Sequence, residues 1–281
     1  MTQLRFRCYR PPMLLLALGA PLFVSAGVLD SVNGVRTQGC PLSRGGAQPL
    51  RESRRLDEVA RQIATGAALD AAQRRAGYRA LNLYTISIAP VDASGEVSAT
   101  LTRQFCAQVT DPGLREIGSW RQGERLWLAL AAPFDPPLPQ QLPAISRRVL
   151  ELTNRARSAP RRCGASEFAA TAPLAADATL ARVALDYARD MARLNFMDHT
   201  GRDGSTPMQR ISAAGYRWIE AGENLASGIT TPEQLVAGWL HSPEHCANLM
   251  APAFREAGVA FALNPGSDAG IYWAMEFGTR P

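Results

Sequence analysis

The sequence predicts an α+β fold, and two observations carry that reading. Apolar residues recur at helical spacing in the second half of the chain, at Ile145, Val149, Leu152 and Ala156 and again at Leu180, Val183, Ala184, Tyr187, Met191 and Leu194. Two alternating, β-rich stretches follow late, "GVAFAL" and "GIYWAMEF", joined by the turn-forming "NPGSDAG". Helices that precede a late antiparallel pair imply layers of helix and sheet. With 281 residues, 46% of them apolar, the chain can pack one large domain or two modest ones.

The first 26 residues read as a targeting signal. Arg5, Arg7 and Arg10 form a basic start, "MLLLALGAPLFV" is an apolar run too short to span a bilayer comfortably, and "VSA" before Gly27 resembles a cleavage site. The mature chain is expected to be secreted or periplasmic, with no transmembrane segment. The net charge is +5, and its cations are all arginine, with no lysine. The arginines are scattered, which argues against a nucleic-acid partner. Cys8 would leave with the signal. Cys40, Cys106, Cys163 and Cys246 remain, an even number that suits two disulfides in an oxidising compartment.

An internal echo bears on their pairing. "CAQVTDPGLREIG" at Cys106 parallels "CANLMAPAFREAG" at Cys246, "NGVRTQGC" at Asn33 parallels "NRARSAPRRC" at Asn154, "PLRESRRLDEVAR" at Pro49 parallels "PLAADATLARVAL" at Pro173, and "AGYRA" at Ala76 parallels "AGYRW" at Ala214. The order is kept, so the pattern reads as a duplicated domain rather than a solenoid. If each copy keeps its own staple, the pairs are Cys40–Cys106 and Cys163–Cys246. A proline-rich stretch, residues 133–143, should be a stiff, extended linker between the copies. The first copy has no histidine, no counterpart of "GEN", and nothing in the place of "DHTGRDGSTP". Any chemistry therefore belongs to the second copy.

Within that copy, helices are expected over about residues 146–158, 178–196 and 232–241. Thr206, Pro207 and Gln209 make a capping box with proline at the first helical position; Thr231, Pro232 and Gln234 repeat the device, and Ser242 with Pro243 reads as a third cap. The residues that could carry chemistry are His199, Glu223, His245 and His241. Histidine with glutamate can hold a divalent cation or share acid–base work. There is no "HExxH". Pro243 separates His241 from His245, and His241 reads as a solvated residue at a helix end. The loop around His199 lacks the alternating oxygens of a calcium loop, and Ser205, Ser227 and Ser242 stand in no "GxSxG". On local evidence alone, His199 is a ligand, a base, or an ordinary loop histidine bonded to backbone.

The pieces "NRAR", "FMDHTGRDGSTPMQRI", "AGYRW", "AGENLASG", "GWLHSPEHCANLM", "FREAGVA" and "YWAMEFG" resemble, in order, the CAP superfamily of cysteine-rich secretory, antigen 5 and plant pathogenesis-related proteins, and more narrowly its bacterial SCP-like branch. The resemblance implies a three-layer α-β-α sandwich, the CAP fold, over residues 144–281, preceded by a degenerate CAP-like repeat over 27–132. It also implies a cleft lined by His and Glu that binds zinc or another divalent cation in some members. His199 and Glu223 match the first cleft histidine and glutamate. The second glutamate falls on Ser242 and the second histidine on Tyr272, so two ligands are missing, while "SPEH" supplies His245. The expectation is a secreted binding module with a cation-responsive cleft and a lipid, peptide or envelope component as ligand. The alternatives are a metal-assisted hydrolase, or a structural envelope protein with a vestigial cleft.

Overall fold

The computed structural model describes residues 26–41, 43–91 and 94–281; residues 1–25 of the expected signal peptide, including Cys8, lie outside them. The chain divides into two compact units, one ending at Pro133 and the other starting at Phe134. No helix among the described residues is long and apolar enough to cross a membrane.

The first unit runs α1 (Ala26–Gln38), β1 (Gly39–Cys40), β2 (Ser43–Arg44), β3 (Arg51–Glu52), α2 (Arg54–Ala64), α3 (Leu69–Ala76), β4 (Ala80–Ile88), α4 (Ser94–Gln104), α5 (Cys106–Val109), β5 (Glu116–Gln122) and β6 (Arg125–Pro133). Its main sheet has the order β3-β5-β6-β4. Alternation along β6 separates two apolar layers. Ala129 and Ala131 pack with Leu56, Val59 and Ala60 of α2, while Leu128 and Leu130 pack with Val32, Val35 and Leu101 of α1 and α4.

The second unit begins with a 3-10 turn at Pro139–Gln141. It continues with α6 (Leu142–Arg157), β7 (Arg161–Cys163), β8 (Ser166–Phe168), β9 (Ala175–Ala176), α7 (Ala178–Leu194), α8 (Pro207–Ala213), β10 (Glu220–Ser227), α9 (Pro232–His241), α10 (Pro243–Met250), β11 (Glu256–Leu263) and β12 (Ile271–Thr279). The sheet order is β10-β12-β11-β9. Tyr272 and Ala274 face Ala184, Tyr187 and Met191 of α7, and Trp273, Met275 and Phe277 face Val149 of α6 and Leu235 and Trp239 of α9. The unit is thus α+β with helices on both faces of the sheet. Gly258 lets α7 close on it: a Cβ there would sit 1.9 Å from the Ala181 nitrogen.

The pairs Cys40–Cys106 and Cys163–Cys246 are both bonded, one inside each unit. Each unit also holds a buried arginine on main-chain carbonyls. Arg36 donates to the carbonyls of Gln48, Val109, Asp111 and Leu114; Arg157 donates to those of Ala172, Leu249, Ala251 and Phe254. Asn33 clamps Leu50 through both its amide atoms, and Asn154 clamps Leu174 the same way.

The stretch expected to be extended up to Pro143 is not extended throughout. It coils into the 3-10 turn, and α6 starts at Leu142, four residues ahead of the expected 146. Pro143 lies in the first turn, where a missing N–H costs nothing, and Phe134, Leu142 and Ile145 have an apolar core to cover.

Candidate functional site

Asn195 ends α7 in the left-handed conformation and turns the chain into a tight loop. The Asp198 carboxylate accepts from the Thr200 N–H at 2.8 Å, and Asp203 accepts from the Ser205 N–H at 2.9 Å, so the loop is held by its own side chains. The capping box of Thr206 and Gln209 then starts α8 and aims Arg210 back at the loop. Arg210 donates to the His199 carbonyl at 3.0 Å and to the Ser205 carbonyl at 2.8 Å, and its guanidinium stacks 3.4 Å over the Tyr187 ring.

This scaffold brings His199 to Glu223 of β10. The His199 Nδ1–H donates to Glu223 Oε1 at 2.6 Å, and Arg210 donates to Oε2 at 2.7 Å. The Glu223 side chain is 1% exposed and that of His199 is 55% exposed, so a buried carboxylate orients an imidazole whose other nitrogen is left to the solvent side. The hydrogen bond to Glu223 raises the proton affinity of His199 above its ordinary value. Directly across the β10–β12 pairing from Glu223 lies Glu276, fully buried, with its carboxyl held well above the usual range first by burial and then by Glu223. Arg210 and Glu276 were not among the residues singled out from sequence. Glu276 carried a signal all the same: it is an acidic residue in an otherwise apolar strand.

His245 approaches β10 from α10, on the other side. Its carbonyl accepts from the Asn224 amide at 3.1 Å, and Asn248 donates to the Glu223 carbonyl at 3.1 Å and to Asn224 Oδ1 at 2.9 Å. The disulfide to Cys246 pins the same helix. Burial, and then the nearby His199, lower the proton affinity of His245. Ser242 stands at the N-cap of α10, but its hydroxyl caps no backbone N–H; it bonds His245 Nδ1 at 2.8 Å instead. The expected side-chain cap is therefore absent, because an imidazole one turn on takes the hydroxyl's hydrogen bond. Tyr272 is buried on the α7 face, its hydroxyl donating to Asn195 Oδ1 at 2.8 Å, and it does not join the His199–Glu223 contact. His241 closes α9, exposed, with Nδ1 on the Ala237 carbonyl at 2.6 Å.

The donor set does not fit the divalent cation that the sequence resemblance implies. Both Glu223 oxygens are taken, one of them by a guanidinium. No group of three or more His, Cys, Asp or Glu side chains among the described residues is placed to hold an ion.

A different kind of site lies at the other edge of the sheet. β9 pairs with only Glu256 and Ala257 of β11, so the rest of that edge is covered by helices, with the Ser146 hydroxyl donating to the Val259 carbonyl at 2.7 Å. Between α6, α7 and β11 is a cavity of about 610 Å³, walled in part by Leu142, Leu150, Ala181, Leu185, Ala257 and Val259, with the exposed Arg147 and Arg182 also in its lining. Asp177, which also borders it, is spent on the α7 cap and on Arg280. A second cavity, of about 980 Å³, runs along α7, α8 and the loop at 201–205, where Arg182, Arg193, Arg202 and Arg210 mix with Asp186, Asp190 and Asp203.

Residues 150–277 match the model of the cysteine-rich secretory protein family, CAP. The chain is 30% identical over 139 residues to the uncharacterized protein YkwD of Bacillus subtilis (strain 168), a match that takes in 50% of this chain and 49% of that protein. The chain thus spans about half the length of that relative. Among solved structures, an outer surface protein of Borrelia burgdorferi is 26% identical, with 51% of this chain and 95% of that one covered and a TM-score of 0.41. An extracellular SCP-domain protein of Bacillus anthracis str. Ames is 20% identical, with 59% and 56% covered and a TM-score of 0.42.

Proposed function

Because the C-terminal unit belongs to the cysteine-rich secretory protein (CAP) family, we propose that it is the binding module of an exported protein and that its ligand is a single-chain amphiphile with an anionic head. The observation that carries this reading is the apolar cavity between α6, α7 and β11. A concave apolar site with few polar groups suits an acyl chain, and the exposed Arg147 and Arg182, the latter also donating to the Ala214 carbonyl, suit a carboxylate or phosphate. Export is supported by the signal-like residues 1–26 and by the two disulfides. We read the N-terminal unit as a degenerate copy of the same fold. Its strand order, its Asn33–Arg36 pair and its disulfide parallel those of the C-terminal unit, while the loop that bears His199 has no counterpart.

The test is displacement of a fluorescent fatty acid by palmitate from the oxidised mature chain. Leu150→Trp, which fills the cavity, should weaken binding at least about tenfold, and Arg147→Ala with Arg182→Ala should weaken it less. No uptake of the fluorescent acid, or uptake indifferent to Leu150→Trp, would remove the proposal. A hydrolytic second reading is favoured by one observation, the buried-carboxylate–exposed-imidazole pair of Glu223 and His199, which is the geometry of an oriented acid–base group. It predicts turnover lost in His199→Ala with the fold intact.

A further inference from the structure

Glu276 has no place in an acyl-binding cavity and no evident place in a stable core. It is fully buried, and neither of its carboxyl oxygens meets a hydrogen-bond donor. On one side, β10 sets Glu223 directly opposite. On the other, β11 sets Gly258, which contributes no side chain, beneath the close crossing of α7. The titratable and charged groups that act on it are Glu223 from β10, Arg210 from α8 and Tyr187 from α7, with His199 beyond Glu223. His199 donates to Glu223 at 2.6 Å and Arg210 at 2.7 Å; the other bonds of Arg210 go to the His199 and Ser205 carbonyls, and its buried Nε makes no bond to Glu276 either.

Two carboxyl groups therefore face each other at a buried cross-strand pair, and the hydrogen bonds made there reach only Glu223. Two neighbouring carboxylates do not both ionise in such a place, and an ionised carboxylate can only accept. A single proton resolves both problems. Held between the two side chains, it supplies the donor that Glu276 lacks and leaves Glu223 free to accept from His199 and Arg210.

We propose that Glu223 and Glu276 form a proton-sharing carboxyl dyad, a buried acid–base site that holds the exposed His199 imidazole as a proton donor toward the cleft and leaves no place for a divalent cation. The charged set is then one carboxylate against a guanidinium and an imidazolium, a balance that repels a metal ion. Burial and the neighbouring Glu223 push the Glu276 carboxyl upward, in agreement with this geometry. The proposal rests on neither the acyl cavity nor its ligand, and it stands if that reading fails.

The experiment uses the oxidised mature chain at neutral pH. Infrared difference spectroscopy with carboxyl-labelled glutamate should show a protonated carboxylic acid in the wild type, and Glu276→Gln should abolish it. NMR titration should find the proton affinity of His199 little changed in Glu276→Gln, because a neutral donor replaces a neutral donor. Calorimetry with zinc alone should show no one-to-one binding. An ionised Glu276 would give the opposite pattern: no acid band in the wild type, and a fall of about tenfold or more in His199 proton affinity on removing the negative charge. Zinc binding that is lost in His199→Ala would also overturn the proposal. The wild-type infrared and zinc measurements need no variant, so they decide even if Glu276→Gln does not fold.

Discussion

Arg157 anchors the C-terminal unit through four main-chain carbonyls, and its removal tests how that unit is held together. The side chain is fully buried and has no carboxylate partner among the described residues. It donates to Ala172 at 2.8 Å, Leu249 at 2.7 Å, Ala251 at 3.0 Å and Phe254 at 3.1 Å, tying the end of α6 to the segment that leaves α10 for β11. Burial pushes its proton affinity down to about 10, still high enough to keep the charge at neutral pH. Hydrogen bonds from a charged donor contribute about 1.5–3 kcal/mol each. Four of them are offset by several kcal/mol for desolvating the guanidinium. The expected net cost of Arg157→Met is about 3–5 kcal/mol, much of it from carbonyl groups left buried without a donor. Urea unfolding followed by tryptophan fluorescence reads this directly, since Trp239 and Trp273 are buried in the same unit. Arg36→Met should lower the N-terminal unit's transition in the same way, because Arg36 is buried on four carbonyls of its own. A cost below about 1 kcal/mol for Arg157→Met would refute the reasoning, since it would mean the carbonyls find other donors.

Three further outcomes are expected. Replacing Cys163 and Cys246 together by Ala opens a loop with a sequence separation of 83, worth about 4.5 kcal/mol on the chain-entropy model, and should lower the urea midpoint accordingly. Gly258→Ala places a Cβ 1.9 Å from the Ala181 nitrogen and 2.3 Å from the Leu180 carbonyl carbon, backbone atoms that cannot swing aside. It should cost more than about 3 kcal/mol and cut soluble yield, and an unchanged melting temperature would show that α7 does not cross there. Glu223→Gln should return His199 toward the ordinary histidine range by NMR. Because the folded protein holds the His199 proton more tightly than the unfolded chain does, the stability from this pair is complete below the ordinary histidine range. It is lost as pH rises through the raised value, and Glu223→Gln should abolish that dependence.

Much of the fold was legible because it rests on local rules. The stripe from Leu180 to Leu194 is α7, and the threonine–proline devices at Thr206 and Thr231 do cap α8 and α9. Both disulfides follow from the internal echo. The proline-rich stretch misled, because proline's preference for extended chain gave way to the tertiary demand of the core on Phe134, Leu142 and Ile145. Half of the polar constellation was legible too: His199 and Glu223 meet at 2.6 Å. The other half was not. Arg210 reads as one more arginine on a short helix until the loop at 199–205 folds back over it. Glu276 gains meaning only from strand register, which sets it against Glu223. Ser242 shows a finer limit, since its place at the head of α10 was readable but its hydrogen bond to His245 was not.

The N-terminal unit supplies a comparison within the same chain. Gly118 of β5 pairs with Ala129 of β6, and Ala129 pairs in turn with Thr85 of β4. In the C-terminal unit Gly258 pairs with Glu276, and Glu276 with Glu223. Both glycines lie under a crossing helix, at Leu56–Asp57 in one unit and Leu180–Ala181 in the other. The same sheet order and a like helix crossing thus close over Ala129 in one unit, with Thr85 left exposed, and over two glutamates in the other. Burying a carboxyl pair costs stability that a small apolar residue does not. A sheet of this order does not require the pair, since the N-terminal sheet holds the buried Ala129 at the corresponding place. Where the carboxyls are absent, the loop that would carry a histidine is absent as well; where they are present, that loop is built, capped and bonded to Glu223. The cost of the buried carboxyls is therefore tied to His199 rather than to the fold, and the chemistry of this protein is to be sought at that imidazole as well as in the apolar cavity.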